Sequence, residues 1–377
     1  MAASSRKKVL VVFGTRPEAI KMAPVIRALK GKPDIEVRVL ATAQHREMLD
    51  DTFAQFGISP DIDLDIMRHD QTLADLTSRL LASVDNVLAR ECPDVVVAQG
   101  DTTTVFAAAL ASFYRRTPFA HVEAGLRTGD FTNPFPEEMN RSFVARLASL
   151  HFAPTADARA NLLREGIPDG SIHVTGNTVI DAVRWMSESN PAHGLPVDER
   201  MRVILMTCHR RENFGAPLDG ILAAVRRLAG LYPDVQIVYP VHPNPNVAGP
   251  AQAALSGIPN IILTAPLNYA KLVALMKACY FVMTDSGGLQ EEAPALGKPV
   301  LVLRDDTERP EAVTAGTVVL VGHDTETIIR EAERLLRDEG RYREMARAIS
   351  PYGDGHAGEG IAAILDNWLA MRHGSAT

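Results

Sequence analysis

Short, continuous runs of Val, Ile, Leu and Phe alternate along the chain with longer stretches whose apolar positions recur every three or four residues. In the first half, the runs at 9–13, 37–41, 94–99, 119–123, 150–154 and 172–176 read as strands, with helix-period segments such as 17–29 and 72–89 between them. The runs are apolar throughout rather than at alternate positions. That fits strands covered on both faces, as in a parallel sheet. The second half repeats the pattern at 202–207, 236–241, 260–265, 280–284, 299–303 and 317–322, again separated by helical segments such as 218–232. The fold class is therefore α/β: two Rossmann-like, doubly wound halves of similar size. Their junction is expected in the polar segment 187–200 or in the helix 178–186 leading into it.

The polar residues gather where the strands end. In the first half the strands run into GTRPE, QHR, QGDT, VEAG and TGN; in the second they run into CHRREN, HPNP, TDSGG and RDDTERP. Packing does not call for Arg, His, Asp and Glu at these positions. Open α/β sheets bind ligands beyond the carboxyl ends of their strands. Two such edges facing each other would make a cleft for a ligand with two chemically different ends.

Composition narrows the class further. With 39 basic against 46 acidic side chains the formal charge is −7, opposite to the basic excess of a nucleic-acid binder. The three cysteines, Cys92, Cys208 and Cys279, are odd in number and far apart, so neither a disulfide framework nor a zinc cluster is implied. No apolar run reaches the 18 or so residues of a membrane span, and the 9–13 run is too short for a signal-peptide core. A reducing, cytoplasmic address without membrane attachment is the expectation. On that reading the sequon Asn140-Arg141-Ser142 is a chance match.

Each polar motif admits two readings. In Gly14-Thr15-Arg16-Pro17-Glu18, Pro17 suits the start of a helix, and Arg16 with Lys21 would bind an anion there; a capped helix with solvated charges is the alternative. The string lacks G-x-G-x-x-G, and LGKP at 296–299 is not a Walker A sequence. Ser286-Gly287-Gly288 would expose backbone N–H groups to a phosphate at a helix N-terminus, with Arg309 supplying charge. A turn with a serine cap is the alternative. Asp101, Glu123 and Glu137 stand at or beyond strand ends, where facing carboxylates raise a pKa and create a proton-exchanging group. Against this, Asp101 could cap a helix, and Glu137, like Glu138, could simply favour a helix dipole. His209 points to the expected cleft or is a hydrogen-bonded loop histidine, and His242 is placed similarly. No metal motif, cofactor fingerprint or serine-nucleophile elbow occurs, so no metal or cofactor is expected.

Taken together, the strings GTRPEAIKMAPVI, QHREML, QGDTTTVFA, HVEAGLRTGD, PFPEEMNR, HFAPT, TGNTVIDA, HRRENFG, PVHPNPNV, TDSGGLQEEAPALGKPVLVLRD, TERPEAVTAGT and PYGDG resemble the non-hydrolysing UDP-N-acetylglucosamine 2-epimerases, in order and over almost the whole chain. The resemblance implies a glycosyltransferase type B fold. An N-terminal domain at 7–180 would carry the catalytic acids, a C-terminal domain at 181–357 the UDP, and a helix near 358–372 would return to the first domain. It implies a UDP-sugar substrate, a homodimer, and interconversion of UDP-N-acetylglucosamine and UDP-N-acetylmannosamine through 2-acetamidoglucal, supplying cell-surface polysaccharide synthesis.

Residue by residue, the resemblance implies nucleotide binding by Arg16, Ser286, Gly287, Gly288, Glu292 and Arg309, with Glu292 on the ribose hydroxyls. It implies a sugar-side catalytic group of Lys21, Asp101, Glu123, Glu137 and His209. An activating second site in some members matches Gln44, Arg211 and His242, although Glu47 and Asp70 stand where those members often carry Gln and Arg. The rival functions are a hydrolysing relative, a glycosyltransferase of the same fold and a catalytically silent nucleotide-sugar sensor.

Overall fold

A computed structural model of the chain describes residues 6–42, 46–66, 68, 71–198 and 200–374. Its contacts divide it into two compact units, one running to Ala182 and resuming at Tyr352, the other spanning Val183–Pro351. The division falls inside the helix Thr178–Glu188.

Among the described residues, the first unit holds a seven-stranded sheet of β1 (Lys7–Phe13), β2 (Ile35–Ala41), β3 (Ile62–Asp63), β4 (Val95–Gln99), β5 (Phe119–Val122), β6 (Leu150–Ala153) and β7 (Ile172–Val174). The spatial order is β3-β2-β1-β4-β5-β6-β7, and every pairing is parallel. The second unit holds β8 (Arg202–Thr207), β9 (Val235–Pro240), β10 (Ile261–Thr264), β11 (Phe281–Thr284), β12 (Val300–Val302) and β13 (Val318–Leu320). Their order is β10-β9-β8-β11-β12-β13, again wholly parallel. Each predicted strand is present, with ends shifted by a residue or two. The two-residue edge strand β3 gave no apolar run to find.

The continuous apolar runs have the expected cause. Residues 9–13 of β1 and 95–98 of β4 are buried at every position, since helices cover both faces of the sheet. Leu10, Val12, Val96 and Ala98 pack with Val84, Val105 and Ala108 from the helices Leu73–Glu91 and Thr103–Tyr114. In the second unit Ile204, Met206, Ile237 and Phe281 pack with Leu222 and Val225 of the helix Ala216–Leu231. Fully burying one such side chain contributes about 1.5–3 kcal/mol.

The C-terminal helix Ala357–Gly374 packs on the helix Arg16–Lys30 of the first unit. Gly358 explains how closely. A Cβ there would lie 2.9–3.0 Å from Pro24 atoms, and its N–H donates to Asp181 Oδ1 at 2.7 Å.

In both sheets the order of strands reverses beside the first strand, between β1 and β4 in one and between β8 and β11 in the other. At such a switch point neighbouring turns diverge to opposite faces and leave a crevice at the carboxyl edge. The turn after β5 adjoins the first of these. Gly125 stands there at φ +93°, and a Cβ would come within 2.2 Å of the Ala158 carbonyl oxygen. Gly125→Ala should therefore cost about 2–4 kcal/mol in denaturant unfolding. Gly129→Ala, at φ +83° but in open space, should cost only about 1 kcal/mol. Equal losses would contradict the packing argument.

Candidate active site

The first group of polar residues surrounds the β1/β4 switch point. Thr15 caps the helix Arg16–Lys30 in a capping box with Glu18. Glu18 is buried, and its carboxylate accepts from the N–H groups of Gly14 (3.0 Å) and Thr15 (2.7 Å) and from Thr15 Oγ1 (2.7 Å). Its other oxygen accepts from Thr102 Oγ1 at 2.7 Å, which ties the β1 turn to the β4 turn. The capped-helix reading thus holds for Thr15 and Glu18. The side chain of Arg16, at the first helical position, makes no hydrogen bond or ion pair with the other described residues.

Asp101 follows β4, but it is not a helix cap: Thr102 takes that position and accepts from Val105 N–H. The Asp101 carboxylate instead lies 2.6 Å from the Arg141 guanidinium. Glu123, immediately after β5, has φ +63°, a conformation rare for a residue with a side chain. Its carboxylate meets Lys21 Nζ at 2.5 Å. Glu137 opens the helix Glu137–Leu147, where the dipole favours a carboxylate, and it is close enough to act on Asp101. Burial pushes the Asp101 carboxyl above its ordinary value of 3.8. Arg141 and Lys21 oppose that rise, while Glu123 and Glu137 add to it.

Glu138, which the sequence made no more than a dipole partner, is buried and accepts from the N–H groups of Thr128 (3.0 Å) and Gly129 (3.1 Å). It holds the loop that follows Glu123. Asn140 is also buried, its Nδ2 donating to the Asp101 carbonyl at 2.9 Å, so the sequon is built into the site's floor rather than offered to solvent.

The second group surrounds the β8/β11 switch point. Ser286 occupies the N-cap of the helix Gly287–Ala295, yet its hydroxyl makes no capping bond. The simple serine-cap reading therefore fails. Arg309 lies directly over this turn: a Cβ on Gly287 would be 2.6 Å from its guanidinium, so any larger residue there would push the arginine side chain aside. Arg309 Nε donates to Glu291 at 2.6 Å, and the guanidinium reaches Glu308 at 3.1 Å. Burial acts upward on Glu308, but Arg309 and Arg304 outweigh it and hold the carboxyl at about 2. Glu292 is buried and accepts from Tyr269 Oη at 3.1 Å.

His209 follows β8, with its Nδ1 3.2 Å from Asp285 Oδ1 and its ring stacked on His242 at 5.7 Å between centroids. Burial lowers its pKa from 6.5; Asp285 pulls it back up, and Arg210 and His242 add to the lowering. Arg211 lies exposed in the short turn Arg211–Asn213. Gln44 and Asp70 lie outside the described residues, so of the expected second site only Arg211 and His242 have a described position.

Sequence reasoning singled out neither Asp285 nor Arg141, nor did it see that Glu18 joins two turns. Signals existed for two of them. Arg141 stands four residues after Glu137, which puts both on one helix face, and Asp285 is an acid directly after an apolar strand. Among the described residues, no group of three or more His, Cys, Asp or Glu is placed to hold a metal. No helix there is long and apolar enough to cross a membrane.

Two wholly parallel α/β units with charged groups at their switch points define an enzyme of the glycosyltransferase type B fold. Residues 27–366 match the family described as UDP-N-acetylglucosamine 2-epimerase. Among curated relatives, the UDP-N-acetylglucosamine 2-epimerases of Yersinia pestis and Escherichia coli K12 are 53% and 52% identical, each comparison covering 96% of this chain and 98% of the relative. The crystal structure of the Neisseria meningitidis UDP-GlcNAc 2-epimerase bound to UDP-GlcNAc superposes with a TM-score of 0.88 at 47% identity, covering 96% of this chain and all of that one. The chain belongs to the UDP-N-acetylglucosamine 2-epimerase family, a family of isomerases.

The raised Asp101 pKa has a testable sign. A carboxyl whose folded pKa exceeds its unfolded one contributes stability below the unfolded value, and that contribution is lost as pH rises through the folded value. Carbon-detected NMR should find Asp101 titrating above 3.8. Glu123→Gln should move it down, because a facing negative charge is removed and Lys21 is released. An upward movement would contradict the arrangement.

Proposed function

We propose that this enzyme interconverts UDP-N-acetylglucosamine and UDP-N-acetylmannosamine without net hydrolysis, its product feeding cell-surface polysaccharide synthesis. The proton at carbon 2 of the sugar is not α to a carbonyl and is barely acidic. Its removal becomes feasible only if UDP departs with it. A carboxylate takes the proton, the C–H electrons form the C1–C2 double bond, and the C1–O bond electrons leave with UDP. Enzyme-bound 2-acetamidoglucal is the product of that step. In the return step a proton is delivered to carbon 2 on the opposite face, and a diphosphate oxygen re-forms its bond to carbon 1.

The observation that carries this reading is the Asp101, Glu123 and Glu137 group, held among Lys21 and Arg141, in which one carboxyl is pushed up by burial and by its two acidic neighbours. A carboxyl so raised exchanges protons nearer neutral pH. In our reading these three acids are the acid/base set and Lys21 pairs with Glu123. Arg16, Arg309 and the N–H groups at Ser286, Gly287 and Gly288 stabilise charge on the departing diphosphate, where preorganised electrostatics contribute most. Glu292 serves the ribose, and His209 steadies the leaving group or the cationic sugar. A second, activating nucleotide-sugar site at Gln44, Arg211 and His242 is part of the same reading. Hyperbolic kinetics with pure UDP-N-acetylmannosamine, unstimulated by traces of UDP-N-acetylglucosamine, would remove it.

NMR in deuterated water tests the reaction. UDP-sugar recovered at equilibrium should carry deuterium at carbon 2, with little free sugar; release of N-acetylmannosamine and UDP would indicate the hydrolysing reaction instead. Asp101→Asn and Glu123→Gln should abolish the exchange while UDP affinity stays within about tenfold. Unchanged exchange in both variants would sink the acid/base assignment. Arg309→Ala should weaken UDP binding in calorimetry. A homodimer and a cytoplasmic setting complete the proposal; light scattering giving the mass of one 40.9 kDa chain would remove the dimer.

A further inference from the structure

Asp285 is an acid that none of the roles above uses, and its surroundings are unusual. It is wholly buried at the end of β11. Its Oδ2 accepts from the backbone N–H groups of His209 (2.8 Å) and Arg210 (2.7 Å) and from Asn213 Nδ2 (3.0 Å). That oxygen is saturated. The other, Oδ1, accepts no hydrogen bond by ordinary geometry and faces His209 Nδ1 at 3.2 Å. One carboxylate thus holds the main chain of this histidine and stands beside its ring.

We propose that Asp285 is a positioning residue for His209, fixing the imidazole with its proton on Nδ1 so that Nε2 is the nitrogen offered to the substrate. The inference rests on the proposed role of His209 at the leaving diphosphate. The physical argument is tautomeric. A buried carboxylate oxygen beside Nδ1 favours a proton there, which leaves the lone pair on Nε2. When Nε2 also carries a proton, taken up from water, the imidazolium lies against the Asp285 carboxylate in a poorly solvated site, where that charge acts strongly.

The other groups facing the pair do not substitute for it. The Cys208 thiol and Tyr239 phenol, packed near Asp285, are both pushed up by burial and stay neutral at pH 7. The groups acting on the imidazole besides Asp285 are Arg210 on its own loop and the stacked His242 from the turn after β9. Both lower its pKa, as burial does. Asp285 is therefore the group that keeps a protonated His209 accessible. Its main-chain bonds alone would make it a structural anchor; the second oxygen gives it a part in the chemistry.

Nitrogen-detected NMR of the ring at neutral pH provides the test. In the full wild-type chain the His209 proton should reside on Nδ1, and finding it on Nε2 overturns the proposal whatever happens to any variant. Asp285→Asn can still accept the two backbone N–H groups while presenting an NH₂ to Nδ1. It should therefore move the proton to Nε2, lower the imidazole pKa, and reduce kcat by about 10²- to 10⁴-fold, with UDP affinity changed less than about tenfold. A variant that folds, keeps the Nδ1 proton and loses activity only in step with its thermal stability would show a structural anchor and overturn the proposal. The tautomer measurement needs no turnover. A failure of the epimerisation reading would instead appear as absent deuterium exchange in the wild type.

Discussion

Every strand of a parallel sheet ends on the same edge, and the turns there carry N–H groups that no ladder satisfies. In this protein each unit meets that constraint with one buried carboxylate at its switch point. Glu18 accepts two successive backbone N–H groups of the β1 turn and a hydroxyl from the β4 turn. Asp285 accepts two successive N–H groups of the β8 turn from its own place after β11. Each charge-assisted bond of this kind contributes about 1.5–3 kcal/mol, and removing one partner leaves the rest buried and unsatisfied. The cost of burial remains visible on Glu18, which burial pushes above its ordinary pKa despite four hydrogen bonds. These two lashings hold the turns from which Arg16, Asp101, His209 and Ser286 project.

With the turns fixed, the charges beyond them sort by local pairing rather than by the net charge of −7. In the first unit two carboxylates each have a cation, Lys21 on Glu123 and Arg141 on Asp101, and a third acid stands close by. In the second, Arg309 is held against the Ser286-Gly287 turn by Glu291 and Glu308. A guanidinium braced by two carboxylates is oriented before any anion arrives, which reduces the ordering cost of binding one.

Much of this was legible in the residues. The apolar runs marked each strand but β3, because strands buried on both faces leave a period-free signature of fixed length. The polar strings at their ends marked the charged clusters at the two switch points, because a switch-point turn favours a residue such as Asp101 or His209 over a Leu. The resemblance then attached a reaction to those strings. Less legible was the partner of each side chain. Asp101-Thr102-Thr103 reads as a cap with any of its residues as the acceptor, and only folding assigned the cap to Thr102 and left the acid for Arg141. Glu138 looked dispensable beside Glu137, yet its carboxylate carries the loop behind Glu123.

The sequence by itself determined the two α/β units, the parallel character of their sheets and the set of polar residues at the strand ends, because burial periodicity and turn chemistry are local properties of the chain. The tertiary structure decided which charges meet. Lys21 and Glu123 are 102 residues apart in the chain, and His209 and Asp285 are 76 apart. Such pairs depend on strand order, since β4 comes to lie beside β1, and β11 beside β8, only after intervening strands have gone to the other side. No local pattern encodes that adjacency. It follows from the reversal of strand order beside the first strand of each sheet, and with it comes the geometry in which a buried acid finds its base.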